Sequence, residues 1–309
     1  MFLNIVYFLL AVVLLWGGAN WIVTSASLIA RKFNVSELVI GLTIVAFGTS
    51  APEFLVTVNA ALRGHEAISL SNVVGSNIFN LGFILGLMAM IKPLPTGPKL
   101  IYRDGLLLFG CCVAILLMSF TGELGRMFGL ALMVTLAVYL FWLARIKESP
   151  GEDELEDLPE RGAKWYDWFL LLGGFAGIAL GGHLMVTAAT SIATALGVSS
   201  WVIGVTIVAA GTSLPELVTC LAASVKGRND MLLGNLIGSD FFNFAGVLGL
   251  TCLMRPLGVS EEARGSLMVL VGMVALVLIF LRTGWKVRRW EGALLVGINL
   301  IRWGRDFLG

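Results

Sequence analysis

The sequence predicts an all-α integral membrane fold of ten transmembrane helices, arranged as two inverted five-helix repeats with one broken motif helix in each. Three observations carry that expectation. Of 309 residues, 58% are hydrophobic and only 13% charged, against about 25% charged in soluble chains. Ten apolar stretches suit a hydrocarbon core of ~30 Å, which takes roughly 20 helical residues. Residues 41–90 also align with 204–253 without a gap, 21 of 50 positions being identical at an offset of 163.

The elements follow in order. Span 2–30 starts at Met1 without a basic leader and runs on into a second span, so it is expected to be retained. Span 38–62 carries GLTIVAFGTSAPE from Gly41 to Glu53, and span 68–91 carries Gly75, Ser76, Asn77 and Asn80. Span 102–120 opens on Arg103 and Asp104, read as an interfacial ion pair, and span 124–145 completes an N-terminal repeat, 1–146. The connector 147–164 holds seven acids (Glu148, Glu152, Asp153, Glu154, Glu156, Asp157, Glu160) without a DxDxDG-type loop. It is expected to be a solvated cytoplasmic linker.

The C-terminal repeat, 165–309, retraces this pattern. Span 165–195 begins at Trp165, Tyr166 and Trp168, interfacial anchors by type, and sets His183 where the first span has Asn20. A packed, hydrogen-bonded His183 is expected. Span 199–225 carries GVTIVAAGTSLPE from Gly204 to Glu216, and span 230–253 carries Gly238, Ser239, Asp240 and Asn243. Spans 264–282 and 287–304 are flanked by Trp285 and Trp290. Cys111, Cys112, Cys220 and Cys252 all fall in apolar spans with no CxxC, so they read as core residues.

With the N-terminus outside, inner loops hold 15 Lys and Arg against 6 on the outer side. This favours both termini outside and the acidic linker in the cytoplasm. Five spans per unit is an odd number, so the second unit enters the bilayer from the opposite face. The two motif helices then meet antiparallel about a pseudo-two-fold axis in the membrane plane.

The motifs place chemistry at that axis. Pro52 lacks an N–H and its ring collides with the carbonyl of Gly48, while Ala51 is biased away from helical geometry. Carbonyls near Ala46, Gly48 and Thr49 are therefore expected to lose their intrahelical donors, and likewise Ala209, Gly211 and Thr212 before Pro215. Free backbone at that depth survives only if buried in protein or lining a cavity. Together with Thr49, Ser50, Thr212, Ser213 and the carboxylates of Glu53 and Glu216, these form an all-oxygen donor set suited to a hard cation such as Ca²⁺. Two glutamates would neutralise one divalent ion; without it, their repulsion calls for Na⁺ or protons. Alternating occupancy of one charge pair by competing cations is the physical root of antiport.

Ser76 and Asn80, and Ser239 and Asn243, are four apart and share a helix face. Small polar residues also serve as packing glue in membranes, but beside the glutamate helices they read as ligands. Asp240 breaks the symmetry, since its partner is Asn77. It reads equally as a further ligand or proton acceptor and as a protonated structural carboxyl.

At these residues the chain resembles the sodium/calcium exchanger family, of prokaryotic minimal type, in the wider cation/calcium exchanger superfamily. Paired GTS-x-PE and GS-x-x-x-N/D elements mark its two alpha repeats. The resemblance implies that Glu53 and Glu216 are shared between Ca²⁺ and Na⁺, and that the Thr49 and Thr212 carbonyls reach Ca²⁺. Ser76 and Ser239, with Thr49, Thr212 and the carbonyls of Ala46 and Ala209, would shape flanking Na⁺ sites. Ser50, Ser213, Asn80 and Asn243 would complete the centre, and the first and sixth helices would slide to switch access. Some members carry Asp where this chain has Asn243, which bears on stoichiometry, K⁺ dependence and proton involvement.

The expected function is secondary active antiport of Na⁺ against Ca²⁺, as Ca²⁺ efflux from a prokaryotic cell through its inner membrane. H⁺/Ca²⁺ exchange on the same scaffold is the alternative. The chain has no HExxH or Ser–His motif for an intramembrane hydrolase, so no enzyme is expected; a passive channel is the third reading, which saturable, counter-ion-dependent flux would argue against and voltage-driven unitary currents would support. Beyond the transported ions and the bilayer no cofactor and no nucleic-acid partner is expected, and the chain is taken as a monomer.

Overall fold

A computed structural model of the chain describes residues 2–146, 148–150, 161–197 and 209–308. The linker acids 152–160 and the motif residues 204–208 lie outside them. The described chain is almost wholly helical: α1 (Phe2–Phe33), α2 (Glu37–Thr49), α3 (Ala51–Leu62), α4 (66–91), α5 (Leu100–Ser119) and α6 (Arg126–Ile146) form the first half. The second half holds α7 (Trp165–Ala195), α8 (Leu214–Val225), α9 (Asn229–Met254), α10 (Glu261–Arg282) and α11 (Arg289–Leu308).

Seven of the described helices are long and apolar enough to cross a bilayer, and α2 with α3 makes an eighth span bent by 48°. The remaining two expected spans do not meet that measure. Of span 199–225 the described residues show Leu214–Val225 and the short turn Ala209–Gly211. Helix α11 carries Arg289, Glu291, Arg302, Arg305 and Asp306 among its 20 residues.

Local chemistry sets the ends of these helices. Ser36 caps α2, its Oγ accepting from the Val39 N–H at 3.3 Å, and Ser260 caps α10 through the Ala263 N–H at 3.2 Å. Gly64 and Gly227 follow α3 and α8 at equivalent repeat positions with φ of +83° and +74°, a left-handed turn that glycine takes without a Cβ penalty.

Four two-residue strands tie the loops. β1 (Leu94–Pro95) pairs antiparallel with β4 (Lys286–Val287), and β2 (Glu123–Leu124) with β3 (Leu257–Gly258). The repeat offset carries β1 onto β3 and β2 onto β4, so each ribbon is the symmetry copy of the other. A pseudo-two-fold relation thus reaches well beyond the motifs.

Two close contacts organise the helices. α1 and α7 lie against each other at Gly18 and Gly174, where a Cβ on either would sit 2.8 Å from the other's carbonyl oxygen. α2 crosses α9 where Gly41 and Gly234 face backbone, an added Cβ being 2.6 Å from the Met231 and Leu38 carbonyl oxygens respectively. Small residues at such crossings let backbones approach in the membrane. The α2/α9 crossing brings the Thr49 end of α2 beside Ser239.

The charged ends differ from expectation. The Arg103–Asp104 pair is no simple interfacial bridge: Asp104 is buried, accepts the Tyr139 hydroxyl at 2.8 Å, and Arg103 also binds Glu148. Glu148, expected in a solvated linker, is buried and pairs with Lys99 at 2.9 Å. Two cations and a cap-forming backbone contact, Ser36 N–H to the Glu148 carbonyl at 2.8 Å, outweigh its hydration. His183 is exposed rather than packed, because the α7 face that carries it has no described helix against it at that level.

Candidate functional site

The site lies where α2–α3, α4, α8 and α9 converge. In α2 the helix carries a π segment, Gly41–Val45, before closing at Thr49. Ser50 then leaves helical geometry (φ −78°, ψ 3°), and the ladder resumes with the Phe54 N–H on the Ser50 carbonyl at 3.1 Å. Ser213 repeats this (φ −93°, ψ 8°), with the Leu217 N–H on its carbonyl at 3.1 Å. Pro52 and Pro215 sit in the first turn of α3 and α8, where a missing N–H costs nothing. Each break therefore starts a new helix with its glutamate in the first turn.

One expectation needs correcting here. The Ala46 carbonyl keeps its intrahelical donor, the Ser50 N–H at 3.0 Å, and also accepts the Thr49 hydroxyl at 3.3 Å. The proline removes the donor to Gly48, four residues back, while the donor to Ala46 lies ahead of the break. For Ala209 the described residues give no side-chain surroundings.

The two carboxylates are joined crosswise. The Ser213 hydroxyl donates to Glu53 Oε1 at 3.0 Å, and the Ser50 hydroxyl donates to Glu216 Oε1 at 3.3 Å. Each glutamate is thus held by the serine of the other repeat, and both are fully buried. Around them, Asn72 Nδ2 donates to the Thr57 hydroxyl at 2.9 Å, and Asn235 Nδ2 meets the symmetry-related Cys220 sulfur at 3.5 Å.

A second layer comes from α4 and α9, each of which carries a π segment, Phe79–Ile84 and Phe242–Leu248. Such bulges re-aim side chains and recur at functional sites. Asn80 Nδ2 donates to Asp240 Oδ1 at 2.9 Å, Asn77 Nδ2 to the Asp240 carbonyl at 3.3 Å, and Asn243 Nδ2 to Asn77 Oδ1 at 2.9 Å. The position where the repeats differ, Asn77 against Asp240, is therefore a direct cross-repeat contact.

The halves are not equally engaged. Thr49 Oγ1 lies 3.2 Å from Ser239 Oγ and 3.1 Å from Asn235 Oδ1. In the other half the Ser76 hydroxyl turns to its own helix, on the Asn72 carbonyl at 2.7 Å, and Thr212 Oγ1 has no partner among the described residues.

What remains after these bonds is a set of buried oxygens without a described donor: Glu53 Oε2, Glu216 Oε2, Asp240 Oδ2, Asn80 Oδ1, Asn243 Oδ1 and Thr212 Oγ1. Buried acceptors left unpaired are costly and call for a partner. Among the described residues no three His, Cys, Asp or Glu side chains cluster in the manner of a resident metal site. Carboxylates diluted with amide and hydroxyl oxygens suit a hard cation held reversibly.

Comparison with known proteins decides the family. The family model described as sodium/calcium exchanger protein matches residues 3–145 and 166–301. The chain belongs to the sodium/calcium exchanger family. The exchanger is 34% identical to the sodium/calcium exchanger MaX1 of Methanosarcina acetivorans, over 95% of each chain. It is 36% identical to an uncharacterised membrane protein of Methanocaldococcus jannaschii, over 97% of this chain and 96% of that one. Solved structures of the sodium–calcium exchanger NCX_Mj, from crystals soaked with Na⁺ and Ca²⁺, superpose with a TM-score of 0.84 at 34% identity and 97% coverage of both chains. The protein is thus an all-helical membrane exchanger of prokaryotic type, in a family that exchanges cations against Ca²⁺.

Cross-repeat hydrogen bonds join Thr49 to Ser239, Ser50 to Glu216, Ser213 to Glu53, and Asn80 to Asp240, and Asn243 reaches Asn77; Ser76 and Thr212 make no such bond among the described residues. Sequence reasoning missed Asn72, Asn235 and Asn77 as cross-links, although the two repeated asparagines were visible in the self-match.

Proposed function

We propose that the chain is a secondary active antiporter exchanging Na⁺ for Ca²⁺ by alternating access. The observation that carries this reading is the crossed Ser213–Glu53 and Ser50–Glu216 pair, with one oxygen of each buried carboxylate left unpartnered among the described residues. Glu53 and Glu216 would share Ca²⁺, with the carbonyls of Thr49 and Thr212. Ser76, Ser239 and the carbonyl of Ala209 would flank it for Na⁺, with the Ala46 carbonyl available once the Thr49 hydroxyl turns from it, and Ser50, Ser213, Asn80 and Asn243 would complete the centre. Asp240, through its free Oδ2, is assigned as a further oxygen of the same site.

The switching element would be α1 with α7, sliding on their glycine contact. Its present engagement is one-sided. Lys226 Nζ donates to the Asn20 carbonyl at 3.0 Å and to Thr24 Oγ1 at 2.6 Å, and the Ser27 hydroxyl donates to Glu37 at 2.5 Å. At the matching positions of α7, Thr187 bonds its own helix and Thr190 Oγ1 has no partner among the described residues, while Arg63 is bonded to Asn59. Among the described residues these bonds fall on the α1 end of the pair, and a switch of access would break them and make others.

The lysine and arginine bias of the loops supports termini outside, and the small size, short linker and archaeal relatives favour a prokaryotic plasma membrane, so that inward Na⁺ would drive Ca²⁺ out. Counter-flow tests the reading. Ca²⁺ uptake into Na⁺-loaded proteoliposomes should require the Na⁺ gradient and persist with a protonophore at clamped potential. Uptake that follows a pH gradient without Na⁺ would refute it in favour of proton coupling.

A further inference from the structure

The two halves of the site are braced unequally from outside. Helix α11 crosses the π segment of α4 and sets Asn299, which is 1% exposed, against it. Asn299 Nδ2 donates to the Ile78 carbonyl at 3.1 Å, at the point where the helix passes into π register at Phe79. A π segment shifts each carbonyl away from its usual donor four residues on, leaving a backbone acceptor to be met from elsewhere. The approach is possible because residue 82 is glycine: a Cβ there would lie 2.8 Å from Asn299 Nδ2. One turn further, Trp303 stacks on Phe79 and Phe83 with ring centroids 5.6 and 6.3 Å away.

The second repeat lacks this brace. The offset of 163 carries Asn299 back to Leu136 and Gly82 forward to Ala245. Leu136 packs near the matching π segment, its Cδ2 lying 3.1 Å from where a Cβ of Gly246 would be, and it has no donor to offer. A polar Asn–Gly pair thus serves the half holding Asn77 and Asn80, and an apolar Leu–Ala pair serves the half holding Asp240 and Asn243.

We propose that Asn299 is a positioning residue for cation binding. In this half its amide, where the other half has only apolar packing, meets the carbonyl ahead of the π segment and so fixes the direction of Asn80, the side chain bonded to Asp240 at 2.9 Å. Relaxation of that segment to α register would rotate Asn80 relative to the part of α4 before it and break the Asn80–Asp240 link. The inference rests on the cation-exchange reading given above and adds to it a residue outside the ligand set.

Asn299→Leu tests it, alone and combined with Gly82→Ala, which together install the pairing the second repeat already uses. In Na⁺-loaded proteoliposomes, both variants should raise the half-saturating Ca²⁺ concentration by about five-fold or more, the scale of one buried acceptor left unpaired, while changing the maximal rate less. G82A/N299L repairs packing without restoring the donor. Recovery of wild-type half-saturation in that double variant would overturn the proposal, as would unchanged half-saturation in N299L. If N299L fails to assemble, the double variant alone decides by the same criterion. Wild-type protein without Na⁺-driven Ca²⁺ flux would instead overturn the exchange reading, and the inference with it.

Discussion

Glu53→Gln is the most informative single change. Glutamine keeps the shape and an oxygen to accept the Ser213 hydroxyl at 3.0 Å, and replaces the charge and the second oxygen with a neutral NH₂. Removing one partner from a buried ionic contact costs about 3–5 kcal/mol. At 1.4 kcal/mol per decade this weakens Ca²⁺ binding by roughly 10²–10⁴-fold. The lower part of that range is expected, because Glu216 and Asp240 remain at the site. The cation-free protein should respond with the opposite sign. Two buried carboxylates oppose each other there, each with an oxygen unpartnered among the described residues, and neutralising one relieves that cost. Calorimetric Ca²⁺ titration and melting curves in detergent, with and without Ca²⁺, check both halves. The variant should melt higher than wild type without cations and lose the Ca²⁺-dependent rise. A folded E53Q protein that binds and exchanges Ca²⁺ like wild type would refute the shared-carboxylate mechanism, whatever its stability.

Ser213→Ala removes the hydroxyl that holds Glu53, a hydrogen bond to a charged group worth about 1.5–3 kcal/mol; Ca²⁺ half-saturation in the flux assay should rise by roughly 10-fold or more, and an unchanged value would detach Ser213 from the site. Lys226→Ala frees α1 at Asn20 and Thr24, so amide hydrogen exchange should accelerate over the following turns of α1 and not in α10; equal rates would show that the contact does not hold the helix. Outside the membrane-spanning segments, the Glu66 carboxyl is held below its usual 4.5 by the Gly258 N–H and by Arg255, against the opposing effect of burial. Its contribution to stability is therefore complete above pH 4.5 and fades as pH falls through the lowered value. The stability difference between wild type and Glu66→Gln, followed by acid titration, should be flat near neutrality and vanish on acidification; a difference that grew on acidification would invert the argument.

Much of this architecture was legible in sequence because it is written as periodicity and identity, which need no distances. Apolar length marks a helix in a bilayer wherever its neighbours lie, and a gapless match of 21 positions in 50 declares a duplication. A carboxylate beside Pro and Gly at membrane depth is costly enough that its presence twice already points to ions. The acids at helix ends were less legible. Glu37, Asp104 and Glu148 lie near the ends of apolar runs and look solvated, yet all three are buried. Their partners come from elsewhere in the chain, Ser27 and Arg228 for Glu37, and Tyr139 for Asp104.

Sequence by itself determined that there are two equivalent motifs, which residue types they offer, and where their symmetry fails, at Asn77 against Asp240. Only the tertiary structure decided how those motifs meet. The serine of each repeat serves the glutamate of the other, Asn80 pairs with Asp240 across 160 positions, and the brace from Asn299 falls on one half alone. The physical reason is that a hydrogen bond depends on tenths of an ångström in helix crossing and register. Those are fixed by backbone contact at Gly41 and Gly234 and by π turns, whereas the pattern of a single strand of residues carries only the faces each helix presents.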